Sequence, residues 1–259
     1  AASDVYKRQA SSHDDILFVT NMGNMYKLRC YEIPEGGKQS RGINVVNILQ
    51  LSEGERVAAM MKTSDFAENK FFICITKQGK IKRTPLSDYK NLRKGGLRAV
   101  GLDDGDEIAA AYLTEGDSHV VIGTRNGMAI NFLETDIRSM GRTAHGVRAI
   151  KLRQGDSIVG ACKVYDENMT ILTVTDKGMG RRCQVTDYRV QKRGGFGILN
   201  YKANEEKGFV CGIRALGTDD DVILINTDGV IIRIRANDIR VMGRYATGVR
   251  VMRLYGDSK

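Results

Sequence analysis

Tryptophan is absent, and the 259 residues hold only two prolines, three histidines and five cysteines. The cysteines (Cys30, Cys74, Cys162, Cys183, Cys211) are odd in number, widely spaced and never C-x-x-C. That pattern argues against a disulfide framework or a zinc site and points to a reducing, cytoplasmic setting. No apolar run approaches the ~18 residues a membrane span needs, and the opening residues lack a charged-then-apolar leader. A G-x-x-x-x-G-K-S/T phosphate loop and a G-x-S-x-G nucleophile turn are missing too. What is plentiful is glycine, with 29 residues, alongside 42% hydrophobic residues and 40 Lys+Arg against 31 Asp+Glu, a net charge of +9. These bounds favour a basic all-β protein with a real core and many tight turns.

The chain is a repeat. A short apolar run, a Thr, two residues, a Gly and a second apolar or basic run recur as ILFVTNMGNMYKL, FFICITKQGKIKR, VVIGTRNGMAINF, TILTVTDKGMGRR and VILINTDGVIIRI. Their glycines, Gly23, Gly79, Gly127, Gly178 and Gly229, lie 56, 48, 51 and 51 residues apart. An acid follows nine residues later each time (Glu32, Asp88, Asp136, Asp187, Asp238) and reads as a cap on backbone N–H groups. A second glycine follows the first by 19 residues in four repeats (Gly42, Gly146, Gly197, Gly248) and by 17 in the other (Gly96). The β-branched runs around the first glycine predict a hairpin. Another strand is expected after the second glycine (INVVNIL, LRAVGL, VRAIKL, ILNYK, VRVMRL), then an acidic turn (SEGE, DDGD, RQGD, NEEKG) read as solvated, then a last apolar strand. Four strands in about 50 residues is the arithmetic of a propeller-like array of four-stranded blades. Residues 1–10 fit no repeat position and are expected to be extraneous or truncated. Residues 11–259 are expected to form one β domain of repeats 11–62, 63–113, 114–164, 165–216 and 217–259, cut at both ends relative to its own period.

Charge is in phase with the repeat. Residues 79–98 hold seven Lys/Arg and one acid, and 178–197 and 229–253 balance to +4 and +5, whereas 99–121 hold six acids and no Lys or Arg. Equivalent positions in stacked units lie at equivalent radii, so a basic segment once per repeat becomes a stripe. A basic stripe suits the phosphate backbone of duplex DNA, with shape rather than sequence as the readout. The bland alternative is a solvated surface of mixed charge.

One segment concentrates these features: Gln191-Lys192-Arg193-Gly194-Gly195-Phe196-Gly197, with a shorter relative in Arg93-Lys94-Gly95-Gly96. Glycines let a backbone approach phosphate oxygens while the cations supply charge; an ordinary turn is the competing reading. The segment resembles the seven-residue Gln-Arg/Lys-Arg-Gly-Gly-Arg/Lys-Gly box of the C-terminal domain of the DNA gyrase A protein. MGRTAHGVRAIKL (140–152), VMGRYATGVRVMRL (241–254), YEIPEGGKQSRG (31–42) and TDKGMGRR (175–182) look like that domain in the same order, so the resemblance covers residues 11–259. It implies a β-pinwheel of six blades with strands exchanged between neighbours and DNA wrapped on a basic rim, this chain carrying blades two to six. Phe196 stands where the family pattern has Lys or Arg, and the family's principal box lies in blade one.

On this reading DNA contact is expected at Lys82, Arg83, Arg93, Lys94, Arg142, Arg181, Arg182, Gln191, Lys192, Arg193 and Arg244, with Gly194, Gly195 and Gly197 shaping the loop. The resemblance implies non-sequence-specific wrapping that lets a bacterial holoenzyme supercoil DNA negatively at the expense of ATP. The partners implied are duplex DNA, the cleavage domain of the same polypeptide and the gyrase B protein in an A2B2 complex, with the isolated domain monomeric, off the membrane and nucleoid-associated. ATP and Mg are expected elsewhere in the holoenzyme, with no cofactor, metal site or catalytic residue in this chain. His13, His119 and His145 fall in different repeats, and His145 occupies a slot that Thr247 fills in the fifth, unlike a metal ligand or general base. Two alternatives stand beside this reading: the related C-terminal domain of topoisomerase IV, which relaxes and decatenates, and a protein-interaction propeller working through its face.

Overall fold

The computed structural model describes residues 10–36, 43–93, 95–256 and 258–259. The first repeat supplies β1 (Asp15–Thr20), β2 (Asn24–Arg29) and β3 (Val57–Thr63). The second supplies β4 (Phe71–Thr76), β5 (Lys80–Pro85), β6 (Leu97–Arg98) and β7 (Ile108–Thr114), and the third β8 (His119–Thr124), β9 (Met128–Leu133), β10 (Val147–Arg148) and β11 (Ile158–Val164). The fourth supplies β12 (Thr170–Thr175), β13 (Met179–Gln184), β14 (Ile198–Leu199) and β15 (Val210–Leu216), and the fifth β16 (Asp221–Ile225), β17 (Ile231–Arg235) and β18 (Val249–Arg250). Four antiparallel four-stranded sheets result, in the orders β3-β1-β2-β6, β7-β4-β5-β10, β11-β8-β9-β14 and β15-β12-β13-β18; among the described residues β16 and β17 pair only with each other. In every four-stranded blade the last strand is borrowed from the following repeat.

The glycine period marks where this exchange docks. The amides of Ala99, Ala149, Asn200 and Val251 donate to the carbonyls of Gly23, Gly79, Gly127 and Gly178, the hairpin glycines of the preceding repeat. Gly127 has φ +86°, and a Cβ there would overlap the Tyr201 carbonyl. The second glycine meets the opposite side of the same junction: Gly197, at φ +74°, leaves no room for a Cβ against the Ala129 carbonyl. Only glycine combines that φ with that approach.

The first strands of the first four repeats read as unbroken apolar runs because both faces are covered. All six residues of β1 are buried, and the core lies in layers between adjacent blades. Leu17, Val19 and Met25 pack on Phe72, Cys74, Leu86 and Tyr89 between the first and second blades. Ile73, Ile75 and Ile81 pack on Val120, Ile122, Ile130 and Phe132 between the second and third. The last strands of the first four repeats, β3, β7, β11 and β15, line up beside one another along the inner side. Small residues such as Ala58, Ala59, Ala109, Ala111 and Ala161 edge the narrow central cavity there.

Three expectations change. The strand expected after the second glycine shrinks to two residues, since only Leu97–Arg98, Val147–Arg148, Ile198–Leu199 and Val249–Arg250 pair. In the first repeat, INVVNIL forms a 3-10 turn at Val45–Asn47, with Asn44 accepting from the Val46 amide; such a strand exists only by docking on a preceding blade, and none precedes it among the described residues. Of the acids nine residues after the glycine, Glu32 caps a backbone amide (Arg29 N–H, 2.9 Å), whereas Asp88, Asp136, Asp187 and Asp238 stand exposed in their 3-10 turns. The hairpins are pinned instead from the acidic turns. Asp106 accepts from the Gln78 amide at 3.0 Å and Asp156 from the Asn126 amide at 2.9 Å, and Glu55 gathers Thr20, Asn24 and Tyr26.

Candidate nucleic-acid interface

The borrowed strands form the outer edge of each sheet, opposite the inner column, so their outward side chains mark the perimeter. Successive strand residues point to opposite faces: Val147 is half-buried and Arg148 exposed. The exposed partners are Arg98, Arg148 and Arg250, with Leu199 in the fourth repeat. Three residues further on stand Lys151, Lys202 and Arg253, also exposed. A second register arises where the chain crosses to the preceding blade. Ser139, Val190 and Val241 bridge in parallel to Arg83, Asn131 and Arg182, and just before each crossing Arg138, Arg189 and Arg240 are exposed, with Lys90 at the matching place in the second repeat. The exposed acids Asp88, Asp136, Asp187 and Asp238 lie two residues ahead of these cations, so this register is mixed in sign. The borrowed-strand registers hold cations and no acid. Signals for both were present in the sequence, as fixed offsets from the two glycines.

The predicted contact residues divide. Lys82 and Arg181 are 1% exposed and donate to main-chain carbonyls, so they offer nothing to a surface phosphate. Burial also pulls the Lys82 ammonium down to about 8. Arg182 is buried and its pKa lowered for the same reason. Arg83 lies on the Phe71 ring, 3.7 Å from its centre, with Nε 3.3 Å from the fully buried Glu134 carboxylate. These four belong to the packing between blades. Physically, β5 and β13 are covered on both faces, so even charged residues after the hairpin glycine point inward.

The rest stay near solvent. Arg93, Arg142 and Lys192 are exposed, Gln191 and Arg244 half-buried, and Lys94 lies outside the described residues. Arg193 donates to the Asp136 carbonyl (3.1 Å) and the Arg148 carbonyl (3.0 Å), and the equivalent Arg244 donates to the Leu199 carbonyl (2.6 Å). These arginines staple each turn to the borrowed strand before it while keeping part of the guanidinium outside. In the glycine-rich segment the Gly194 amide is committed to the Ala149 carbonyl at 2.6 Å, the Gly195 carbonyl accepts from Lys151 N–H at 2.8 Å, and Gly197 belongs to the tight junction. Gly195 is exposed with open space about it. Phe196, 46% exposed, carries Lys151 Nζ 4.8 Å from its ring centre.

Elsewhere, His145 pairs with Asp103 at 2.9 Å and His119 approaches Asn131. Among the described residues no group of His, Cys, Asp and Glu is arranged to hold a metal, and no helix is long and apolar enough to cross a membrane.

Blades closed by a strand from the next repeat, with cations repeating along the outer edge, define a strand-exchanged β-propeller. The sequence matches the family described as DNA gyrase C-terminal domain, beta-propeller, in five segments (14–64, 70–115, 118–161, 170–214 and 220–259), and the chain belongs to that family. It is 43% identical over 249 residues to the DNA gyrase A protein of Clostridium acetobutylicum, covering 96% of this chain and 30% of the relative. It is 38% identical over 250 residues to the DNA gyrase A protein of Haloquadratum walsbyi, covering 95% and 29%. The chain thus spans under a third of the length of these curated relatives. A solved DNA gyrase A C-terminal domain superposes with TM-score 0.83 at 25% identity, covering 100% of this chain and 87% of the other. The C-terminal domain of a DNA topoisomerase IV superposes with TM-score 0.84 at 26% identity, covering 93% and 76%.

Proposed function

We propose that the chain binds duplex DNA without sequence preference along its perimeter and bends it there, as the wrapping part of a gyrase A protein. The observation that carries this reading is the recurrence of unopposed exposed cations on and after the borrowed strands (Arg98, Arg148, Lys151, Lys202, Arg250, Arg253). A duplex presents one charge per about 1.7 Å, and regularly spaced cations release its counterions wherever it follows them. Arg93, Arg142, Lys192, Arg193 and Arg244 add to this path at the turns, and phosphate contacts of this kind position a duplex without reading its bases. Bending a duplex that is about 150 bp in persistence length requires a continuous line of such contacts, which a repeat supplies and an isolated patch does not.

In this reading the chain holds no cofactor and performs no chemistry. Strand cleavage, ATP and Mg belong to the rest of an A2B2 assembly in the cytoplasm, and the isolated chain is monomeric. Identities of 38–43% to gyrase A proteins over nearly the whole chain favour gyrase over topoisomerase IV. The test is a topology assay with the complete gyrase A protein and its partner. Negative supercoiling is expected; relaxation and decatenation alone would assign topoisomerase IV, and no binding of linear duplex by the chain would favour a protein-interaction propeller.

A further inference from the structure

Three residues after the hairpin glycine the five repeats carry Tyr26, Lys82, Ile130, Arg181 and Ile232, and ten residues after it Ile33, Tyr89, Ile137, Tyr188 and Ile239. The second and fourth repeats thus pair a cation with a tyrosine where the third and fifth pair two isoleucines. Lys82 Nζ donates to the Ala99 carbonyl at 2.6 Å and to the Arg142 carbonyl. Arg181 donates to the carbonyls of Asn200 and Arg244 and, at 3.1 Å, of Ala246. The acceptors are equivalent. Ala99 and Asn200 each stand third after the second glycine, and Arg142 and Arg244 each stand fourth before the next one. Tyr89 and Tyr188 join the same sites, through the Ala99 carbonyl (2.9 Å) and the Asn200 side chain (2.7 Å).

Burying a cation is costly, and a buried polar group is kept only where hydrogen bonds compensate it. The strand itself does not require it, since Ile130 occupies the same place in the third blade. What the cation adds is a fixed main chain at the perimeter turn of the following repeat. We infer that Lys82 and Arg181 are positioning residues that lock the turns 140–146 and 242–248, setting Arg142 and Arg244 at defined points on the DNA path. The glycine-rich turn 191–197, whose repeat docks on the blade with Ile130, is held without a buried cation. This inference rests on the DNA-binding reading and extends it: pre-ordered contacts avoid an ordering cost at binding.

The test is Lys82→Ile in the full chain, a change with Ile130 as its precedent in the fold. Backbone NMR order parameters at 140–146 are expected to fall while those at 242–248 hold. Affinity for linear duplex is expected to weaken about three- to tenfold, the cost of ordering the freed turn and its arginine. The salt dependence should stay near that of the parent, because no phosphate contact is deleted. Lys82→Arg, which copies the fourth blade, should restore both order and affinity. Unchanged order and affinity in a folded Lys82→Ile protein overturn the inference, as does failure of Lys82→Arg to rescue. If Lys82→Ile does not fold, Arg181→Ile, read at 242–248, has the same two outcomes. If the unmodified chain binds no duplex, the functional reading fails, and turn order alone then decides whether Lys82 fixes the turn.

Discussion

Replacing Arg98, Arg148 and Arg250 together by glutamine tests the perimeter directly. All three are exposed on borrowed strands, and none of their guanidinium groups hydrogen-bonds within the described residues, so the fold should lose little; surface changes of this kind usually stay within about 0.5 kcal/mol. Each neutralised phosphate contributes about 0.9 to the slope of log K against log salt. If about six cations engage the duplex, affinity should drop about 10³-fold between 50 and 200 mM salt. With three removed the slope falls by about 2.7, and the same salt step should cost only about 40-fold. Fluorescence anisotropy with a labelled linear duplex across that range gives both slopes. The control is the pair Arg56→Gln and Lys77→Gln, whose charges meet on Glu107 beside the hairpins at 2.7 and 2.6 Å; it should leave the slope alone. An unchanged slope in the triple variant, or an equal fall in the control, would refute a DNA path along the borrowed strands.

Two further outcomes concern the fold. Gly197→Ala should destabilise the chain by about 2 kcal/mol or more in urea unfolding, since it adds a left-handed alanine to a clash with the Ala129 carbonyl; an unaltered midpoint would contradict the junction described above. Lys82 gives a pH signature. Its folded pKa of about 8 lies below the ordinary lysine value of 10.5, with burial the main cause and Cys74, Asp88 and Arg142 the charged or titratable neighbours. Between those values the unfolded chain binds the extra proton, so stability from this group rises with pH above about 8. Tyr89, raised by burial, works in the opposite sense only as pH climbs past 10. Unfolding of the parent and of Lys82→Met, compared from pH 7.5 to 9.5, should therefore show a widening advantage for the parent; parallel curves would mean the amine stays charged.

The glycine spacing made the array legible, because Gly23, Gly79, Gly127 and Gly178, with Gly96, Gly146, Gly197 and Gly248 of the repeats that follow them, are the physical docking points of the exchange and leave no room for a Cβ. The apolar runs followed from it. The interface was less legible, for a reason that Lys82 and Arg181 illustrate. In a strand covered on both faces the usual alternation of polar and apolar residues vanishes, so a charged residue gives no sign that it points inward. The cue was in the neighbouring repeats: Ile130 and Ile232 occupy the same slot, and a slot that takes isoleucine is interior. Conversely Arg148 and Lys151 sit in a run, VRAIKL, that reads as one strand; only the two-residue length of β10, set by the preceding blade and not by local sequence, shows which side chains face out. Asp106 was hidden similarly among solvated-looking acids, since its partner amide at Gln78 lies 28 residues away.

The borrowed strand also decides how such an array can come apart. The fifth repeat is hooked to the fourth blade through Val249 and Arg250, against Gly180 and Met179. Traction on that repeat therefore loads this latch from the outside, together with the Val251 amide's bond to the Gly178 carbonyl, while the hairpin beneath keeps its ladder. Failure would advance link by link, each released hook baring the edge of the neighbour it had sealed, and any growth or shortening of the array by whole units must carry its hook along.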